Sequence, residues 1–224
     1  MSQPLDAVLF DLDGTLLDTA PDFIWVINRL LQEEARPSID FSTLREQVSN
    51  GANAMIRTAF CIDESDREFA GLRQRFLDIY GDHLAIETRA FEGIDELLDW
   101  LDERHIPWGV VTNKPELYTR GLLRALELDR RAGSIVCPEQ VRERKPHPES
   151  LWLACREIGC RPEHSLYIGD HVRDIEAGRN AGMTTVAARY GYIAPGENPD
   201  DWRADHGVDD AAAIKALLQS LYNL

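Results

Sequence analysis

Ala7-Val8-Leu9-Phe10-Asp11-Leu12-Asp13-Gly14-Thr15 opens on four apolar residues and closes on two carboxylates, a glycine and a threonine. The apolar run is short and bounded by polar residues, the pattern of a buried strand. Residues two apart on an extended backbone point to the same side. Asp11 and Asp13 can therefore face one small volume. Asp13-Gly14 is a turn signal and releases the chain at the carboxyl end of a strand, where open α/β sheets place their ligands. Two carboxylates so close repel each other unless one is protonated or a cation lies between them. A hard divalent cation such as Mg²⁺, with oxygen ligands, meets that need. Taken alone, the pair fits a capped turn equally well, so the rest of the chain decides.

Directly downstream the pattern turns helical. Phe23, Ile24, Val26, Ile27, Leu30 and Leu31 recur at the spacing of one helix face. Thr19 stands where an N-cap belongs, with Pro21 in the first turn. Further helices are predicted over 41–48, 52–60 and 67–84, with Ser49-Asn50-Gly51 as a turn, and no strand is predicted between Thr19 and Ala85. From Phe91 the texture changes to alternation. Strands are predicted at Trp108-Gly109-Val110-Val111, Ser134-Ile135-Val136-Cys137, Ser165-Leu166-Tyr167-Ile168 and 184–188. Helices are predicted over 94–101, 117–126, 149–158, 175–181 and 211–221, and 194–202 reads as a surface loop. Such alternation implies right-handed βαβ units and a parallel sheet covered on both faces. The expected fold is α/β, a doubly wound parallel sheet with a small α-helical cap inserted after the first strand. Residues 1–17 and 87–224 would form the core and 18–86 the cap.

The 224 residues are 44% hydrophobic and 28% charged, an ordinary globular composition. The net charge of -15 speaks against a nucleic-acid partner, which needs a basic surface. It leaves room for a small phosphorylated molecule, because local cations can reverse the field inside a cleft. Cys61, Cys137, Cys155 and Cys160 show no metal-ligand spacing and read as thiols of a reducing compartment. Met1-Ser2-Gln3-Pro4-Leu5-Asp6 lacks the basic and apolar segments of a signal peptide. No apolar run is long enough to cross a bilayer. A cytoplasmic protein with no membrane partner is expected; no pattern distinguishes a monomer from a dimer.

Polar residues cluster where the predicted strands end. Asp11 and Asp13 follow the first, Thr112 and Asn113 another, and Gly169-Asp170 a third, with Asp174 a helical turn later. Lys145 lies in a loop before a proline-marked helix. Each has a plain alternative: a strand-end threonine, a solvated lysine, an aspartate capping a helix or a first-turn acid. Their joint occurrence at one sheet edge is what carries information.

On these residues the chain resembles the haloacid dehalogenase superfamily of phosphohydrolases. Asp11-Leu12-Asp13-Gly14-Thr15 is similar to its first motif, Val111-Thr112-Asn113 to the second, Lys145-Pro146 to the third and Gly169-Asp170 with Asp174 to the fourth. Within it the chain resembles the phosphoglycolate phosphatase group. The stretches Asp18–Phe23, Gly51–Met55, Trp108–Pro115 and Tyr190–Ile193 with Asn198, Pro199 and Trp202 resemble bacterial phosphatases of N-acetylmuramate 6-phosphate.

The resemblance implies an Mg²⁺-dependent phosphatase acting on a small phosphate ester through an aspartyl-phosphate. Asp11 would attack phosphorus and Asp13 would serve as acid and then base. Thr112, Asn113 and Lys145 would hold the phosphoryl oxygens. Asp11, the main chain of Asp13, Asp170 and Asp174 would hold the metal, Asp174 directly, through water, or by holding Lys145. In the cap, Asn50 and Gly51 at a helix start and Arg57 could meet the rest of the substrate; for Arg57 a solvated helix face is the alternative. His171 is expected to start a helix rather than bind metal. A sugar phosphomutase on the same core is the rival enzyme. A dehalogenase would leave Asp13 without a leaving oxygen to protonate. A receiver module phosphorylated on aspartate would lack the helical insertion, and a non-catalytic binder would have no reason to keep every motif residue.

Overall fold

The structure, a computed structural model, describes residues 4–222; the leader reading of Met1–Gln3 lies outside them. In chain order the elements are β1 (Ala7–Phe10), β2 (Leu17–Asp18), α1 (Ala20–Glu33), α2 (Phe41–Arg45), α3 (Gly51–Phe60), α4 (Phe69–Asp82), β3 (Arg89–Ala90), α5 (Ile94–Glu103), β4 (Trp108–Val111), α6 (Glu116–Ala125), β5 (Ser134–Val136), α7 (Glu149–Ile158), β6 (Ser165–Gly169), α8 (Val172–Ala181), β7 (Thr184–Ala188), β8 (His206–Val208) and α9 (Ala212–Tyr222). Six strands form one sheet in the order β5-β4-β1-β6-β7-β8, and every pair in it is parallel. The order reverses direction beside β1, which makes its carboxyl end the topological switch point of the sheet.

Strand periodicity explains the two-sided core. In β1, Val8 and Phe10 face the cluster that contains Leu97 and Leu98 of α5 and Ile214 of α9. Leu9 faces the opposite cluster, with Leu151 of α7 and Ala177 of α8. Leu166 and Ile168 of β6 follow the first side and Tyr167 the second. All four β1 residues have no exposed surface. Each large apolar side chain so buried contributes about 1.5–3 kcal/mol, which fixes the strand and, with it, the start of the acidic turn.

The helical block between β1 and β4 has its own apolar cluster. Phe23, Ile27, Leu30 and Leu31 of α1 pack with Ile56 of α3 and Phe76 and Tyr80 of α4. The Phe23 and Tyr80 rings stack at 4.3 Å. Its two ends meet in a short antiparallel ribbon, Leu17 opposite Ala90 and Asp18 opposite Arg89. Asp22, fully buried in the first turn of α1, accepts from the main-chain N–H of Glu87 and Thr88 and from the Thr88 hydroxyl. That ties the returning chain to the outgoing one.

Several sequence expectations need correction. The helix expected over 41–48 stops at Arg45, and a 3-10 turn, Val48–Asn50, follows. The 194–202 loop ends in a 3-10 turn, Pro199–Trp202, whose Trp202 is buried against Ile175 and Ala187. β2, β3 and β8 were not predicted. Thr19 is at the N-cap of α1, but its side chain makes no capping bond. No helix among the described residues is long and apolar enough to cross a membrane.

Candidate active site

The ends of β1, β4 and β6 bring the motif residues together. Asp11 leaves β1 with its N–H donating to the Ile168 carbonyl at 2.8 Å. The chain then turns tightly, with the N–H groups of Leu16 and Leu17 donating to Leu12 O. Gly14 has φ +86°, and a Cβ there would fall 2.1 Å from Asp170 Oδ2. Glycine is thus required twice, for conformation and for close approach.

Thr112, at the end of β4, is buried, and its Oγ1 accepts from Lys114 N at 3.1 Å. The hydroxyl proton is left to donate elsewhere. The Asn113 amide donates to the Lys145 carbonyl at 3.2 Å and holds that loop against the sheet. Lys145 is 5% exposed. Its Nζ lies 2.8 Å from Asp11 Oδ1, 2.6 Å from Asp174 Oδ1, 2.8 Å from the Tyr167 hydroxyl and 3.0 Å from Val111 O. Burial works against its charge, yet Asp11 and Asp174 more than offset that and hold the ammonium above the ordinary lysine range.

Asp170 follows β6 and is 1% exposed. It accepts from the Thr15 and Ser49 hydroxyls and from Tyr192 N, at 3.2, 3.1 and 2.8 Å. Burial, then the charges of Asp11 and Asp174, push its carboxyl up to about 7. Burial also raises Asp11, with Lys145 opposing. His171, not Asp170, caps α8: its Nδ1 accepts from Arg173 N at 3.1 Å. Burial and the neighbouring Arg173 lower it to about 4, so it is neutral near pH 7.

Oxygens of Asp11, Asp170 and Asp174 lie within 4.8 Å of one another. Asp174 is wholly buried, and its Oδ2 has no hydrogen-bond partner among the described residues. Three carboxyls, one cationic lysine and one orphaned oxygen suit a hard cation with oxygen ligands. The carboxylate of Asp13 stands apart from that group. Lys114 Nζ donates to both its oxygens at 3.0 and 3.3 Å, and the Thr19 hydroxyl to Oδ1 at 2.6 Å.

A cavity of about 540 Å³ opens above these residues. Asp11, Asp13, Thr112, Asn113, Lys114 and Lys145 form its floor, and Asn50, Gly51 and Arg57 of the helical block line it too, with Asn53, Glu64, Arg73, Arg144 and Arg173. Six cationic side chains against three acidic ones reverse the sign of the molecule's overall charge within this cleft. Arg57 is half-exposed, 3.9 Å from Glu64. Arg73 reaches Asn53, which in turn donates to Glu64. Asp170 and Asp174 lie beneath the floor rather than on the wall.

Sequence reasoning missed Lys114, Thr19, Ser49, Tyr167 and Tyr192 as partners of the acidic residues. Lys114 stood next to Thr112-Asn113 and was the one with a signal. The others depend on contacts across the chain.

The haloacid dehalogenase-like hydrolase family model matches residues 8–188. An N-acetylmuramic acid 6-phosphate phosphatase of Pseudomonas putida is 44% identical over 216 residues, 96% of this chain and 97% of that one. Its namesake in Pseudomonas aeruginosa is 47% identical over 205 residues, 92% and 91% of the two chains. A phosphoglycolate phosphatase of Xanthomonas campestris pv. campestris is 41% identical over 200 residues, 89% and 90%. Among solved structures, that of a predicted phosphoglycolate phosphatase from Haemophilus somnus superposes with a TM-score of 0.84 at 27% identity, covering 96% of this chain and 98% of the other. With its parallel sheet, its strand-end carboxylates and these relatives, the chain belongs to the haloacid dehalogenase-like hydrolases and is one of the family's phosphatases.

Proposed function

We propose that the protein hydrolyses N-acetylmuramate 6-phosphate, with Mg²⁺, through an aspartyl-phosphate on Asp11, and that residues 18–86 act as a lid over the reacting group. One observation carries the substrate choice. The cavity of about 540 Å³ falls within the range of about 300–1,000 Å³ that suits a drug-sized ligand, and 2-phosphoglycolate is far smaller. The identity to the two Pseudomonas relatives supports the same reading. Arg57, at the cap end of the cavity, is the group to meet the lactyl carboxylate. The relatives named for phosphoglycolate keep that ester as the second candidate.

Asp11 Oδ attacks phosphorus as the bond to the leaving oxygen breaks, and Asp13 gives that oxygen a proton. A water then loses a proton to Asp13 and attacks the same phosphorus. Cleavage of the acyl phosphate returns Asp11 and releases inorganic phosphate. Thr112, the Asn113 main chain and Lys145 bind the phosphoryl oxygens throughout, and the Lys145 charge also favours the ionised form of Asp11 against the effect of burial. Asp11, Asp170 and the Asp13 carbonyl would hold Mg²⁺, with Asp174 completing the set directly or through water. When bound, the ion offsets the carboxylate charge and stabilises charge on the phosphoryl oxygens.

The test is phosphate release from a panel of esters. kcat/KM is expected to be highest for N-acetylmuramate 6-phosphate. N-acetylglucosamine 6-phosphate, which lacks the carboxylate, is expected about tenfold to a hundredfold lower, the worth of one charge-assisted contact. Arg57→Ala should shrink that gap. Equal rates on the two amino-sugar phosphates remove the case for carboxylate recognition, and a preference for 2-phosphoglycolate selects the second candidate.

A further inference from the structure

We infer that Lys114 is the positioning residue of Asp13 and that it does this from a seat on the aromatic wall of the cap, so that cap packing sets the orientation of the acid–base group. The inference rests on the role of Asp13 proposed above. A lysine is almost never buried unless paired, and Lys114 is 7% exposed. Its ammonium is committed to protein: both Asp13 oxygens lie within 3.3 Å. The same ammonium lies 4.4 Å from the centre of the Phe23 ring and 4.8 Å from that of Tyr80, close enough for cation–π attraction to both. Phe23 comes from α1 and Tyr80 from α4, whereas Lys114 follows β4. The Lys114 backbone is held on either side, its N–H by Thr112 Oγ1 and its carbonyl by the Thr119 hydroxyl. The side chain thus spans the sheet end, the acid–base carboxylate and two cap helices. A displacement of the Phe23–Tyr80 pair moves the ammonium's seat, and the carboxylate bonded to it must turn.

The experiment compares Lys114→Met, Lys114→Arg, Tyr80→Leu and Asp13→Asn with the unsubstituted protein, with Mg²⁺ present throughout. p-Nitrophenyl phosphate has a leaving group that needs no proton, so the first transfer to Asp11 proceeds even with Asp13 misplaced. Hydrolysis of the aspartyl-phosphate still needs it. Lys114→Met is expected to release a burst of p-nitrophenolate stoichiometric with enzyme and then turn over about tenfold to a hundredfold more slowly. On a sugar phosphate its kcat should fall comparably while KM changes by less than about threefold. Lys114→Arg should recover part of the rate. Tyr80→Leu should show a weaker version, and Lys114→Met with Tyr80→Leu should lose no more than Lys114→Met alone. A kcat within about threefold of the unsubstituted protein overturns the inference. So does a raised KM with kcat retained, which would make Lys114 a substrate contact. A burst that shrinks in step with turnover also overturns it, since that marks lost folded protein. If Asp13→Asn turns over normally, the role of Asp13 itself fails; if Asp13→Asn is slow and Lys114→Met is normal, only the positioning by Lys114 fails.

Discussion

Lys145→Met tests how the acidic floor is held together. The substitution keeps length and apolar volume but removes the positive charge that lies 2.8 Å from Asp11 and 2.6 Å from Asp174. Asp174 has no exposed surface and one oxygen already without a partner among the described residues. Among the described residues no other cation is paired with Asp11 or Asp174 to replace the ammonium there. Removing one partner of a buried ion pair costs about 3–5 kcal/mol, because the other charge stays behind. For a chain of this size each kcal/mol lowers Tm by about 2–4 °C. The expected loss is therefore roughly 6–20 °C in EDTA, read by far-UV circular dichroism. Mg²⁺ should recover part of it by supplying the missing positive charge. Adding Asp174→Asn to Lys145→Met should relieve the orphaned anion, so the double variant should melt above the single one. Two results together refute the reasoning: a Lys145→Met melt within about 2 °C of the unsubstituted protein in EDTA, and no relief in the double variant.

Asp11→Asn should abolish turnover, since an amide neither attacks phosphorus nor carries the phosphoryl group; near-normal rates in a sample shown free of deamidation would count against it. Activity should vanish with EDTA, return with Mg²⁺ and be inhibited by Ca²⁺, whose longer and looser coordination misplaces the attacking oxygen; full activity after rigorous metal removal is the contrary result. Asp170 titrates at about 7 in the fold, above its ordinary value, because burial penalises its charged form. The metal-free fold therefore binds that proton more tightly than the unfolded chain, and stability falls as pH rises towards about 7. Urea titrations in EDTA at pH 5 and pH 8 should differ by on the order of 2–3 kcal/mol in favour of pH 5. Asp170→Asn should shrink that difference, leaving the part that comes from Asp11, which burial also raises, and a slope of the opposite sign in the unsubstituted protein would refute the assignment.

The sheet was legible because its inner strands are continuous apolar runs that end abruptly at polar residues. β1, β4 and β6 each close on the side chains that line or underlie the cavity, so strand ends and site were read together. Helix α1 was legible from its periodicity; α8 was read over 175–181 and begins three residues earlier, at Val172, although His171 was expected to start a helix. What stayed hidden lacks periodicity. β2 and β3 are two residues long, and their pairing is decided by bringing Leu17 to Ala90 across the whole helical block. β8 carries one buried residue, Val208, on a sheet edge. Lys114 was signalled by its place beside Thr112-Asn113, but its seat against Phe23 and Tyr80 was not, because those rings come from distant helices. Arg57 was read both as a substrate contact and as a solvated helix face, and the structure has features of each: it lines the cavity and is half-exposed beside Glu64.

The sheet order also dictates when the site can come into being. β1 is made first yet lies in the middle, pairing Val8 with Trp108 on one side and Ala7 with Ser165 on the other. At the usual 5–20 residues per second, a growing chain leaves Ala7–Phe10 without its β6 neighbour for roughly 10–30 s. The helices between 20 and 82 emerge meanwhile and can collapse on contacts among themselves, which close sooner than distant strand pairing. The strand that leads to Asp11 thus has neither neighbour until β4 is made, about halfway along the chain, and one open apolar edge until β6 follows, the kind of surface that chaperones exist to shield. Asp11 gains its fixed position only when Ile168 arrives to accept its N–H, so catalytic competence is among the last properties the chain acquires.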